Sequence, residues 1–173
     1  AVETASADGF PHLCYVRVHT DEGLVGLGET FWRPATVAAH VHEGVAPLLL
    51  GQDPLQIERH WLRLAGRGLR SLGAEGSALS AVYTALWDLL GKAAGWPVHR
   101  LLGGGRDRIP AYAMVGWMNY GDDEVQGICE KAVGQGFRAV KIKVGYQRLE
   151  EDVRRVELVR RAVGPEITLM VDA

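Results

Sequence analysis

A chain of 173 residues, 47% hydrophobic and 23% charged, has the balance of a folded globular protein and excludes a disordered tail, a coiled coil or a fibre. Acids outnumber bases by 21 to 19 with no block of one sign, which argues against nucleic acid or an anionic membrane surface and leaves small neutral or anionic metabolites as partners. The longest apolar runs, at 45–50 and 114–118, fall far short of the roughly 18 residues of a membrane span, and no charged-then-apolar leader opens the chain, so a cytoplasmic protein is expected.

Residues 13–19 are apolar and β-branched enough for a strand, 20–23 form a turn, and 24–30 return as a second strand. Pro34 opens a helical stretch to about Leu49, which Gly51 and Pro54 stop. A second helix is expected over 55–69 and, after a glycine-rich stretch at 66–76, a third over 77–94. Its stripe is Leu79, Val82, Leu86, Leu89, Leu90 and Ala93, with Asp88 and Lys92 paired at i,i+4. Residues 101–110 read as a domain junction.

Beyond the junction the pattern is strict: a short buried strand at 111–115, a helix capped by Asp122 and running to about Gln135, and a strand at 137–144. An amphipathic helix at 149–163 carries Leu149, Val153, Val156, Val159 and Val163 on one face, and a last strand covers 167–172. This β-α-β-α-β order with short loops is that of a parallel sheet or barrel. Cys14 and Cys129 lie in apolar surroundings that suit buried thiols rather than a disulfide framework or a zinc site.

Only four of the 19 basic residues are lysines, and two of them are Lys141 and Lys143. Alternation along 137–144 puts Val140 and Ile142 on one face and both lysines on the other, about 7 Å apart. In a (β/α)8 barrel the aliphatic row meets the helices and the lysines point inward. Burial and mutual repulsion there disfavour the ammonium form and lower a lysine toward the range where it takes a proton at neutral pH. The next strand ends on Asp172, one βαβ repeat later, so a carboxylate reaches the same rim, where barrels carry their catalytic groups and where a hard oxygen ligand suits Mg²⁺. A lone strand lysine is usually a solvated edge residue; the pair, its Val/Ile backing and the in-register acid together point to chemistry. His40 and His42, at i,i+2 on a helix, face apart and make no ligand pair. Trp32 and Trp117 stand just past strand ends, where they could border a ligand. Gly103 to Gly105 precede a strand rather than open a helix, so they form no phosphate loop.

The runs GFRAVKIKVG at 136–145 and MVDA at 170–173, with TDEGLVGLGE at 20–29 and ALWDLLGKAAGWPVHRLLGG at 85–104, resemble the mandelate racemase and muconate-lactonizing branch of the enolase superfamily over essentially the whole chain. The resemblance implies an α+β capping domain at 1–105, with its first strand missing, followed at 106–173 by the opening strands and helices of a modified (β/α)8 barrel. It implies abstraction of the proton α to a substrate carboxylate, with Mg²⁺ stabilising the enediolate. Lys143 is then the general base. Lys141 tunes its neighbour and contacts the carboxylate, and Asp172 is the first of three metal ligands. The segments 9–12 and 32–36 resemble the two loops that close over substrate. These roles agree with physics: a carbon acid beside a carboxylate is so weak that a base needs a cation to offset the second negative charge.

A barrel of this kind takes about 250 residues, and only 111–173 follow Pro110, so the chain is expected to be a portion of a longer polypeptide. The remainder is expected to supply two further metal ligands and a second acid/base. The expected partner is a small carboxylate, a hydroxy acid or sugar acid, and the reaction an acid-sugar dehydration or a racemisation; a homo-oligomer is expected. A muconate cycloisomerase or dipeptide epimerase is the alternative within the superfamily. Outside it stand a Schiff-base lysine enzyme and a non-catalytic binding protein.

Overall fold

The computed structural model describes residues 1–7, 9–31, 33–68 and 73–173, which divide into two units, 1–105 and 106–173. In the first, three antiparallel strands run in the order β1 (Val2–Ala7), β2 (Phe10–His19), β3 (Val25–Phe31). The β2–β3 hairpin is the expected one, closed by Thr20, whose N–H donates to the Leu24 carbonyl. β1 is a correction: an edge strand precedes the hairpin, pairing Val2 with Val18 and Thr4 with Val16, where the unit was expected to lack its first strand. Its residues, VETASA, mix small apolar and polar types without a strict alternation of their own; the pairing comes from β2.

Helices follow as α1 (Pro34–His40), a π-helical turn (Val41–Val45), α2 (Ala46–Leu49), α3 (Ile57–Gly68), α4 (Ala74–Ala94) and α5 (Val98–Leu101). The period-2 alternation of β2 buries Cys14, Val16 and Val18, and the facing positions of β3 are Gly26 and Gly28. Those glycines let the α4 backbone lie directly on the strand. A Cβ at Gly28 would sit 1.8 Å from the Ala81 carbonyl oxygen, and one at Gly26 would sit 2.1 Å from that of Ala85. Ala78, Ala81, Val82, Ala85, Leu86 and Leu89 complete the α4 side of this core. Asp88 and Lys92 do more than pair on the helix. Asp88 accepts the Leu27 N–H and Lys92 donates to the Val25 carbonyl, both at 2.7 Å, so the helix occupies the edge of β3.

The second unit is a parallel sheet ordered β4 (Ala113–Met114), β5 (Ala139–Lys143), β6 (Thr168–Asp172), crossed over by α6 (Asp122–Gly134) and α7 (Leu149–Val163). Both helices cover the face carrying Ala113, Val140 and Ile142, with Val125, Cys129, Ala132, Val159 and Val163 filling the layer between. An α+β unit followed by a parallel βαβαβ unit is the expected fold class. Two details differ. Gly121 rather than Asp122 is the N-cap of α6, and Asp122 instead pairs with Arg154 at 3.2 Å. On α7, Leu149 and Val153 are 72% and 48% exposed, while Arg155, Val159 and Val163 are buried, because the helix is rotated to bring Arg155 under the β4–α6 loop. Among the described residues no helix is long and apolar enough to cross a membrane.

Both cysteines are free and buried, and desolvation raises both thiols, Cys129 to about 11. Since the thiolate is the reactive form, neither is expected to take up a maleimide or iodoacetamide label at pH 8 in the native state, and both are expected to do so in denaturant. Intact mass reads the count, and rapid native labelling of Cys129 would contradict its burial.

Candidate active site

Strand register brings the polar residues of the second unit together. β5 aligns with β6 so that Lys143 lies opposite Asp172 and Lys141 opposite Met170; on the other side Lys141 lies opposite Met114. These side chains share the sheet face turned away from α6 and α7, because each is one residue out of phase with the buried Val140 and Ile142. Lys143 Nζ donates to Asp172 Oδ2 at 2.7 Å, and Lys141 Nζ lies 3.2 Å from the same oxygen. The three side chains are partly shielded, with 28%, 22% and 31% of their surfaces open for Lys143, Lys141 and Asp172. An aromatic ring stands beside each ammonium: Tyr112 lies 5.4 Å from Lys141 Nζ and Trp117 5.5 Å from Lys143 Nζ.

The expected juxtaposition of Lys141, Lys143 and Asp172 is therefore present, and Trp117 borders it. Trp32 lies outside the described residues. Tyr112 was not among the expected site residues, although it shares the period of two with Met114 that alternation reveals. The electrostatics differ from expectation. Mutual repulsion and burial were expected to lower a lysine here, but for Lys141 the carboxylate between the two amines gives the opposite direction. Its hydrogen bond with Asp172 holds Lys141 above the usual lysine range, outweighing desolvation. The hydrogen bonds from Lys143 and then Lys141 hold the Asp172 carboxyl below the usual carboxylate range.

These directions set a pH dependence. The lowered Asp172 contributes stability that is present above its unfolded-state pKa and lost as pH falls through the folded value. The raised Lys141 contributes stability that is present below its unfolded-state pKa and lost as pH rises through the folded value. The difference in urea midpoint between the wild type and Asp172→Asn is expected to be largest near neutral pH and to shrink at both extremes. A pH-independent difference would show that the ionised cluster contributes nothing.

Asp172 offers the hard oxygen donor that Mg²⁺ takes. Among the described residues no group of three His, Cys, Asp or Glu side chains gathers around a common point, so they form no complete metal site of that kind.

The chain is similar to known proteins over most of its length. The family model for the mandelate racemase / muconate lactonizing enzyme N-terminal domain matches residues 3–103, and the enolase C-terminal domain-like model matches 124–173. An arabinonate dehydratase from Saccharolobus solfataricus is 36% identical over 90% of this chain and 43% of its own length. A 3,6-anhydro-alpha-L-galactonate cycloisomerase from Streptomyces coelicolor is 39% identical over 93% of this chain and 46% of its own. The crystal structure of a racemase from Streptomyces coelicolor with bound magnesium superposes with a TM-score of 0.87 at 37% identity, covering 93% of this chain and 46% of that one. The chain thus spans somewhat less than half the length of these three proteins.

Proposed function

The chain belongs to the mandelate racemase/muconate lactonizing enzyme family of the enolase superfamily, and from that premise we propose that it carries the base side of a site that removes the proton α to a sugar-acid carboxylate. The observation that carries this reading is the meeting of Lys143 and Lys141 on one Asp172 oxygen at the C-terminal ends of adjacent parallel strands, where barrel enzymes hold their reacting groups.

In this reading the uncharged Nζ of Lys143 accepts the α-proton, and the C–H electron pair delocalises into the carboxylate. Lys141 keeps its proton and donates to a carboxylate oxygen, a role its raised pKa favours. Asp172 would be one ligand of Mg²⁺, whose charge would offset the second negative charge developing on the substrate. Trp117 and Tyr112 form the apolar flanks of the two amines. For dehydration, loss of the β-hydroxyl as water needs a second acid, which we assign to the portion of the relatives' length that this chain does not span. The dehydratase relative supports a sugar-acid substrate. The cycloisomerase relative supports a second outcome, in which the same first step leads to ring opening or closure.

The test is solvent-deuterium incorporation at the α-carbon of a panel of aldonates and aldarates, carried out with this sequence in the context of a complete barrel. Mg²⁺-dependent exchange is expected, abolished by EDTA, with product analysis separating dehydration from cycloisomerisation. Exchange indifferent to EDTA together with borohydride trapping of substrate on Lys143 would overturn the reading in favour of a Schiff base.

A further inference from the structure

Behind the lysines, α7 carries a second set of polar side chains directed at backbone rather than at ligand. Arg155 is 3% exposed, and no carboxylate pairs with it among the described residues. Its Nη2 donates to the carbonyls of Gly116 and Trp117 at 3.1 and 2.7 Å, and its Nη1 donates to that of Tyr120 at 3.1 Å. Its guanidinium lies 5.8 Å from the Tyr146 ring, and its Nε has no partner. The Tyr146 hydroxyl donates to a fourth carbonyl of the same loop, Met118, at 2.7 Å. Nearly one turn earlier on α7, Asp152 Oδ1 accepts the N–H groups of Gly145 and Tyr146 at 2.9 and 3.2 Å, fixing the loop that leaves β5.

Burying a guanidinium is costly unless its donors are used, and inward-facing carbonyls are costly too if left bare. Arg155 answers both with one planar fork. Gly116 lets the loop come this close: its φ is +73°, and a Cβ there would meet Val125 and Ile142 at 2.7 and 3.0 Å. The Gly116 carbonyl also accepts the Lys143 N–H at 3.1 Å, so the held loop is hydrogen-bonded to the residue it flanks.

We propose that Arg155, with Tyr146 and Asp152, is a positioning residue of the candidate site. It holds loop 115–121 so that the Trp117 ring stands against Lys143 Nζ and confines that amine to the side of Asp172. The consequence for catalysis rests on the proposed function; the positioning does not, and it is tested without substrate.

The experiment uses the chain itself, labelled for NMR, with the Trp117 indole signal assigned through Trp117→Phe and the Lys143 Cε signal through Lys143→Arg. In the wild type the tryptophan ring is expected to shift the Lys143 Cε protons upfield. In Arg155→Lys, which reaches fewer carbonyls, most of that shift is expected to vanish and the indole signal to move, while the Val159 and Val163 methyl signals stay. A folded Arg155→Lys with unchanged Lys143 and Trp117 signals overturns the proposal. If Arg155→Lys unfolds the unit, Tyr146→Phe decides, since it removes only the bond to Met118. Displacement of the Trp117 indole signal supports the proposal, and an unmoved one overturns it. Absence of α-proton exchange in activity assays would leave these readouts untouched.

Discussion

If the proposed reading holds, replacing Lys143 with alanine is expected to cost α-proton exchange about 10²–10⁴-fold, the usual contribution of a positioned acid/base, with little loss of fold. The fold is spared because Lys141 remains 3.2 Å from Asp172 and still neutralises it. Lys143→Arg sharpens the test. It keeps the positive charge and a donor for Asp172 but cannot take up a proton, since a guanidinium stays protonated. It should therefore be as inactive as the alanine variant if Lys143 is the base, and retain substantial activity if only its charge is needed. Lys141→Ala is expected to weaken substrate binding as well as turnover. The measurements are steady-state kinetics and α-deuterium exchange, with circular dichroism confirming the fold; wild-type exchange in Lys143→Arg would remove Lys143 from the reaction.

Gly28→Ala is expected to destabilise the first unit by about 1–3 kcal/mol or more, the range for overpacked cores. The added methyl would have to displace the Ala81 backbone, 1.8 Å from where it would stand. Backbone in the middle of α4 cannot turn aside as a side-chain tip would, so strand and helix must separate, straining the Asp88 and Lys92 bonds to β3 as well. Gly127→Ala is the control. It lies within α6 with nothing within 4 Å of the new methyl, and it is expected to stabilise by about 0.5–1 kcal/mol through helix propensity. Urea midpoints followed by circular dichroism compare the two, and a neutral Gly28→Ala would contradict the close packing of α4 on β3.

Periodicity carried much of this architecture. The alternation around Lys141 and Lys143 assigned both to one face, and the apolar spacing over 149–163 marked the limits of α7, found at Leu149 and Val163. Alternation failed where an element owes its existence to a neighbour: β1 is a strand because β2 pairs with it. The apolar stripe of α7 misled for a related reason. Hydrophobic type marked Val159 and Val163 correctly as core but Leu149 and Val153 wrongly, and it missed buried Arg155, a residue that composition alone assigns to solvent.

Local facts were legible in the residues alone: which of them alternate, where helices begin and stop, and that two scarce lysines and an acid lie one βαβ repeat apart. Those follow from backbone geometry, which acts over a few residues. The meeting of both amines on one Asp172 oxygen, the burial of Arg155 and the contact of α4 with Gly26 and Gly28 came from the tertiary fold. Each depends on a distance between groups remote in sequence, and the sign of an electrostatic effect follows that distance: with Asp172 Oδ2 placed 2.7 Å from one amine and 3.2 Å from the other, expected repulsion becomes attraction.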